Sequence, residues 1–315
     1  MERSPHLPTS ADLAATYALE SVKQFGPQKF REVRDSGLTP TDVLADPTRL
    51  PIGGKRGDAF RVEITRLVRR GIGEFEERAA RQLDRATHHG VHVLLHGDAA
   101  YPANLWASNN PVPVLYVRGE LALLQQRRAI ACVGSRGIRG DYEARQRDFA
   151  AFAAGHGWTV VSGFALGADS TAHRAARDAG GSTVCVMPSG LDRPFPPENK
   201  GLWNEFTTYP KAVMVSEFPF GTPAAALTLR KRNKTIVAFS LGVLIGQSSE
   251  SGGAMNAFRF AIEQRKPVAT FAGNGSDDTS GNRKIAAEIS GTEFPAGRRD
   301  EGAWKAWLQT LSSST

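Results

Sequence analysis

Four short stretches of the chain share one chemistry: glycine beside a hydroxyl or a cation, directly after an apolar run. Gly134-Ser135-Arg136 follows AIACV (129–133), and Ser162-Gly163, leading to Gly167, follows WTVV (158–161). Ser189-Gly190 follows TVCVM (183–187), and Gly246 follows VLI (243–245), with Ser251-Gly252-Gly253 a few residues on. Glycine lets a ligand approach the backbone closely, serine supplies a hydroxyl, and free N–H groups at a helix start favour an anion. Arginine adds a planar fork that matches phosphate oxygens. The expectation is an anion pocket in which backbone amides of 134–136 and the Arg136 guanidinium hold a phosphate. The bland alternative, a tight β-to-α turn with a solvated arginine, stays open for the first turn alone.

A second basic feature lies in LTLRKRNKTIVAFS, where Arg230, Lys231, Arg232 and Lys234 flank Asn233 just before an apolar helical stretch. Runs of charge are usually solvated faces. Cations at a helix N-terminus, however, oppose the macrodipole by a few tenths of a kcal/mol or more, which an anionic partner would offset. These residues therefore join the candidate phosphate contacts.

Other patterns are weaker. Neither G-x-x-x-x-G-K-[ST] nor G-x-G-x-x-G occurs, since the glycines of the first turn are 134, 137 and 140. No acid ends the second strand to hold a ribose, so NAD and ATPase readings lose ground and no cofactor is expected. Asp169 and His173, four apart in GADSTAH, suit either a capped helix start with a satisfied histidine or a ligand contact. HHGVHVLLHG has four histidines, but on a strand only His92 and His96 share a face, and no metal is expected. Cys132 and Cys185 lie in apolar runs and read as buried thiols of a reduced compartment. No catalytic triad or carboxylate pair can be assigned.

The elements that must position these residues follow from hydrophobic period. From about residue 112, apolar runs of four to six residues (114–117, 129–133, 158–161, 183–187, 213–215, 243–245, 267–271) alternate with helical stretches near 141–155, 168–179, 199–208, 231–240, 253–264 and 281–289. Such alternation means βα units, and continuous apolar strands mean a sheet covered on both faces. The expected class is α/β: a doubly wound, mostly parallel Rossmann-like sheet preceded by a small helical domain. Ligands of such sheets sit beyond the carboxyl ends of the strands, where the four turns fall. The expected domains are a helical one over 1–75, the Rossmann-like one over 76–295 and a C-terminal tail over 296–315.

Composition sets the class of partner. The chain has 315 residues and a formal charge of +7. Residues 1–100 hold 15 Lys and Arg against 14 Asp and Glu, so nearly all of the excess lies in the second part. A basic α/β domain suits an acidic partner such as nucleic acid or a nucleotide. No apolar run approaches the ~20 residues of a membrane span, and the opening MERSPHLPTSADL lacks the apolar core of a signal peptide, so a cytoplasmic location is expected.

The ordered series of turns resembles the DprA/Smf family of DNA-processing proteins. It is carried by YPANL (101–105), PVLYVRG (113–119), AIACVGSRGIRGDY (129–142), VVSGFALGADSTAH (160–173), GGSTVCVMPSGLDRPFPPEN (180–199), VMVSEFPFGTP (213–223), RKRNKTI (230–236), SGGAMNAFRFA (251–261) and SGNRKIA (280–286). The 12–45 segment is similar to the family's small N-terminal helical (SAM-like) domain. The resemblance implies a protein that binds single-stranded DNA without chemistry, forms a homodimer and loads a RecA-type recombinase in transformation or DNA recombination. Carried over by position, DNA contact falls on Arg136, Ser162-Gly163, Lys200, Arg232, Asn233 and Lys234.

The family's aromatic-proline pair before Arg-Asn-Arg is replaced by LRKRNK, a family glutamate stands as Gln247, and SGSLITA reads SGGAMNA. Phosphate binding survives these changes, while the pathway, whether transformation, repair or defence against foreign DNA, stays open. The small C-terminal winged-helix module of some relatives is expected to be lacking. A second reading uses the same pocket for a nucleotide-derived small molecule, as a sensor or an N-glycosidic hydrolase. The hydrolase stretch PGGxGTxxE is not supplied by QSSESGGAMNA, so the enzyme is the weaker branch, with Glu217 or Glu250 as its candidate acid.

Overall fold

The computed structural model describes residues 8–108, 111–288, 291–295 and 299–313. The chain divides into two compact units, Met1–Tyr101 with Leu105–Val117, and Pro102–Asn104 with Arg118–Thr315.

The first unit holds helices α1 (Ser10–Ser21), α2 (Pro27–Asp35), α3 (Pro40–Ala45), α4 (Gly54–Arg70) and α5 (Gly73–His88), then strand β1 (His92–Leu95). Helix α6 (Ala103–Ala107) straddles the division, and β2 (Val114–Arg118) pairs antiparallel with β1. Helix α1 starts at a capping box, with the Thr9 hydroxyl accepting from the Asp12 N–H and the Asp12 carboxylate accepting from the Thr9 N–H. Its Leu13, Tyr17 and Leu19 are buried, and it packs against α5, whose Phe75, Ala79, Gln82 and Ala86 recur at helical spacing on one buried face. This packing is why the first unit runs beyond the boundary at 75 expected from sequence: α5 has its core partner in α1.

The second unit alternates β3 (Ala129–Val133), α7 (Gly140–Gly155), β4 (Thr159–Ser162), α8 (Ala168–Asp178), β5 (Thr183–Val186), α9 (Lys200–Thr208) and β6 (Ala212–Ser216). It continues with α10 (Ala226–Phe239), β7 (Gly242–Ile245), α11 (Ala254–Glu263), β8 (Val268–Phe271), α12 (Ser280–Ala287), β9 (Gly291–Phe294) and α13 (Glu301–Ser313). Its strands run in the order β6-β5-β4-β3-β7-β8-β9, all pairs parallel. The chain thus winds outward from β3 through β4, β5 and β6, then returns to the other side of β3 with β7.

Both faces are covered, as continuous apolar strands require. Ile130, Cys132, Val160 and Leu244 join one buried cluster with Phe149 and Phe152 of α7, Ala172 and Ala176 of α8, and Trp304 and Trp307 of α13. The alternate residues Ala131, Val133, Val161 and Ile245 are equally buried and point to the opposite face, where α10 packs against β3, β4 and β5 and α11 against β7. The fold is a doubly wound, Rossmann-like α/β sheet preceded by helices.

Two elements depart from expectation. The basic run 230–234 lies inside α10, which begins at Ala226. Of the segment 296–315 expected as a tail, residues 301–313 form α13, whose Trp304 is 1% exposed; 296–298 and 314–315 lie outside the described residues. Among the described residues no helix is long and apolar enough to cross a membrane.

Candidate nucleic-acid interface

The reversal of winding beside β3 leaves a crevice between the ends of β3 and β7, the place where open α/β sheets hold ligands. A cavity of ≈ 460 Å³ opens there. It brings together Gly134, Ser135 and Arg136 after β3, Arg230, Arg232 and Asn233 of α10, and Gly252 and Gly253 before α11.

The first corner is rigid. A Cβ on Gly134 would lie 2.8 Å from the Ala168 Cβ and 3.2 Å from the Gln247 carbonyl oxygen, so the turn closes only with glycine. The Ser135 N–H donates to the Gln247 carbonyl at 2.7 Å, and the Ser135 hydroxyl accepts from the Gly137 N–H at 3.1 Å. The expectation that the Ser135 amide cradles phosphate is therefore corrected: it is spent on tying the loop after β3 to the loop after β7. Gln247 ties it twice, its side-chain oxygen accepting from the Arg139 N–H at 3.3 Å. What this leaves for a ligand is the Arg136 side chain, which is exposed and pairs with no carboxylate among the described residues.

Arg232 has a different station. It is 4% exposed, and its Nη1 donates to the Gly163 carbonyl and, at 2.9 Å, to the Val186 carbonyl, joining the ends of β4 and β5. Its Nε is buried without a partner. Burial lowers its pKa to about 10; the Asp169 carboxylate works against that shift and the Arg136 charge adds to it. Asp169, at the cavity floor, accepts from the Ala165 N–H at 3.3 Å, and burial raises its carboxyl above the usual range, against the pull of Arg232. Arg232 is thus a buried strut beneath the cavity rather than the open phosphate contact expected from sequence.

The remaining residues fall into two groups. Arg230 is exposed at the cavity, and Asn233 is half-buried there with its amide 3.5 Å from the Gly253 carbonyl. Ser162 is not presented: its hydroxyl is fully buried and donates to the Cys132 carbonyl at 2.6 Å, while Gly163 serves Arg232. The Ser189 hydroxyl likewise turns inward, donating to the Arg193 carbonyl at 2.8 Å. Lys200, Lys234 and Ser251 do not line the cavity; Lys200 is exposed at the start of α9, and the Lys234 ammonium lies 6.0 Å from the Phe260 ring centroid.

Arg230 to Lys234 do not oppose the helix dipole as sequence suggested, because they start a full turn inside α10, where that field has faded. Lys231 is paired instead, at 2.9 Å, with the buried Glu217, which also accepts from Thr235 at 2.7 Å. His173 is a core residue: its Nδ1 meets the Thr183 hydroxyl at 2.7 Å, that hydroxyl donates onward to the Val160 carbonyl, and burial lowers the histidine to about 3. Among the described residues no three His, Cys, Asp or Glu could hold a metal ion.

Sequence reasoning missed the wall of Ala226 and Leu229 and the polar floor of Ser248, Ser249 and Asn256. Asn256 carried a readable signal, three residues beyond the Gly252-Gly253 turn on the first turn of α11.

The family model for DNA recombination-mediator protein A matches residues 92–291, which takes in both sides of this cavity. The chain belongs to the DNA recombination-mediator protein A family. It is 33% identical to Protein Smf of Escherichia coli over 192 residues, 61% of this chain and 50% of that one. It is 32% identical to Protein Smf of Synechocystis over 174 residues, 54% of this chain and 43% of that protein. With the DNA processing protein DprA of Bacillus subtilis it shares 28% over 210 residues, covering 67% and 70% of the two chains. The matches thus span about half the length of the two Smf relatives.

The fold of the recombination-mediator family is shared with solved structures. DprA of Streptococcus pneumoniae aligns over 92% of this chain and 95% of its own, with a TM-score of 0.72 and 20% identity. DNA processing protein A of Helicobacter pylori, described for its single-stranded DNA binding mode, aligns over 71% and 96%, with a TM-score of 0.60 and 21% identity.

Proposed function

We propose that this recombination-mediator family member binds single-stranded DNA by its backbone phosphates at the β3–β7 crevice, without chemistry, and delivers the strand to a RecA-type recombinase as a homodimer. The observation that carries this reading is the convergence of two exposed guanidinium groups, Arg136 and Arg230, on one cavity whose other rim is the Gly252-Gly253 turn before α11. Two cations and a helix start facing one crevice suit a polyanion. Asn233 and the glycine turn add short-range contacts, and Lys200 and Lys234, which stand outside the cavity, are further candidate contacts. Arg232, Gly163 and Ser162 act from beneath by fixing the loops.

Among the described residues no aromatic ring lines this cavity, so capture rests on the backbone more than on base stacking. The test is a titration of the chain with single-stranded and duplex oligonucleotides across salt concentrations, beside a mass measurement in solution and a thermal-shift screen of nucleotides. Binding that prefers single strands and weakens with salt is expected. Indifference to oligonucleotides with stabilisation by a free nucleotide would instead establish the small-ligand reading.

A further inference from the structure

The opposite rim of the sheet, at the amino ends of its strands, has a basic groove that the crevice does not use. One cavity of ≈ 530 Å³ is lined by Arg128, His156, Trp158, Lys305 and Leu308 among others. A second, of ≈ 430 Å³, is lined by Arg127, Arg128, Gly157, Trp158, Gly181 and Lys211 among others. Arg128 and Trp158 line both, so the two cavities adjoin along one trough. Among the described residues, no carboxylate lines either part.

Cations at this rim have an ordinary explanation, the capping of helix C-termini, and the geometry largely removes it. The last carbonyls of α7 are met by turn amides: Trp158 N–H to the Ala153 carbonyl at 3.0 Å and Gly157 N–H to the Ala154 carbonyl at 3.1 Å. Those of α8 are met in the same way, Gly181 to Ala176 at 2.9 Å and Gly180 to Arg177 at 2.8 Å. Lys211 does cap, its ammonium donating to the Gly180 carbonyl at 2.7 Å. Arg127, Arg128 and Lys305 are exposed and pair with no carboxylate among the described residues.

The free cations enter from two separate elements, the segment before β3 and α13. The trough itself runs on to Lys211 before β6, three strand spacings from β3, so it is roughly 14 Å long at about 4.8 Å per strand. A single small anion cannot fill that length. An extended polyanion can, and the exposed His156 ring, tilted by 33° against Phe152 with ring centroids 4.1 Å apart, offers a base a surface beside it. We infer that this trough is a second binding site for single-stranded nucleic acid, independent of the β3–β7 crevice and held by Arg127, Arg128 and Lys305.

The experiment compares the intact chain with Arg128→Ala/Lys305→Ala and with Arg136→Ala. Each is titrated with an oligothymidylate of about ten nucleotides, within the usual size range of single-strand sites, and the bound stoichiometry is read by native mass measurement. Both rim residues are exposed, so an unchanged melting temperature is expected and serves as the folding control. Per chain, the unaltered protein should bind two strands and the rim variant one, and the overall salt dependence of binding should be shallower in the variant.

If the unaltered chain binds one strand and only the rim variant loses it, the trough stands and the crevice reading fails. If the rim variant keeps the full stoichiometry and slope, the inference is overturned. It is equally overturned if a polyglutamate peptide binds through Arg128 and Lys305 while oligonucleotide binding does not depend on them, which would give the trough to an acidic protein segment.

Discussion

The Arg232 guanidinium fills the space that a side chain on Gly163 would need: a Cβ built there overlaps its Nη1 and its central carbon. Glycine at 163 is therefore a packing requirement of the buried arginine. The Gly163→Ala variant should lose about 1–3 kcal/mol, as overpacked sites do, measured by urea unfolding. In the Gly163→Ala/Arg232→Ala double variant the clash is gone, so the loss should be smaller than the sum of the two single losses. Strict additivity would show that the two positions do not share the space.

Arg136 is the exposed member of the first corner, and its removal should act on ligand alone. Arg136→Ala should weaken single-stranded DNA binding and flatten the salt slope by about 0.7 for one lost phosphate contact, leaving the melting temperature within about one degree. A wild-type slope in this variant would remove Arg136 from the interface.

His173 makes the fold sensitive to acid. Its pKa is lowered to about 3 in the folded chain from 6.5, so between these values the unfolded chain binds the extra proton and stability falls as pH falls. The loss should approach about 1.4 kcal/mol per pH unit for this one group below pH 6. His173→Gln should show a shallower decline in urea-unfolding free energy between pH 7 and pH 5. Parallel declines in the two proteins would refute this.

Helix α13 should be an integral part of the core. Trp304 packs edge-on to Phe149 and Phe152, with ring centroids 5.5 and 5.6 Å apart. Trp304→Ala should cost about 3–5 kcal/mol in urea unfolding. A loss below 1 kcal/mol would mean that the helix is dispensable.

Much of this was legible before the structure. The apolar runs located the strands because a parallel sheet buries both faces, and the turn residues located the crevice because such sheets bind at their carboxyl edge. Direction was not legible. Ser135, Ser162 and Ser189 read alike in sequence, yet each hydroxyl serves a backbone group of its own fold, which follows only from the partners that the register supplies. Arg232 looked like its neighbours Arg230 and Lys231, and helical phase turned it inward. Helix α13 was missed because its two tryptophans have their partners in α7, far away in sequence.

Gln247 fastens the corner after β3 at two points, so the two loops bordering the crevice cannot open independently. Such a jaw is already set before anything arrives. On the proposed function, the loss of freedom on capture falls chiefly on the flexible strand, and association should be fast and governed by diffusion and charge, with no slow rearrangement of the protein in its time course.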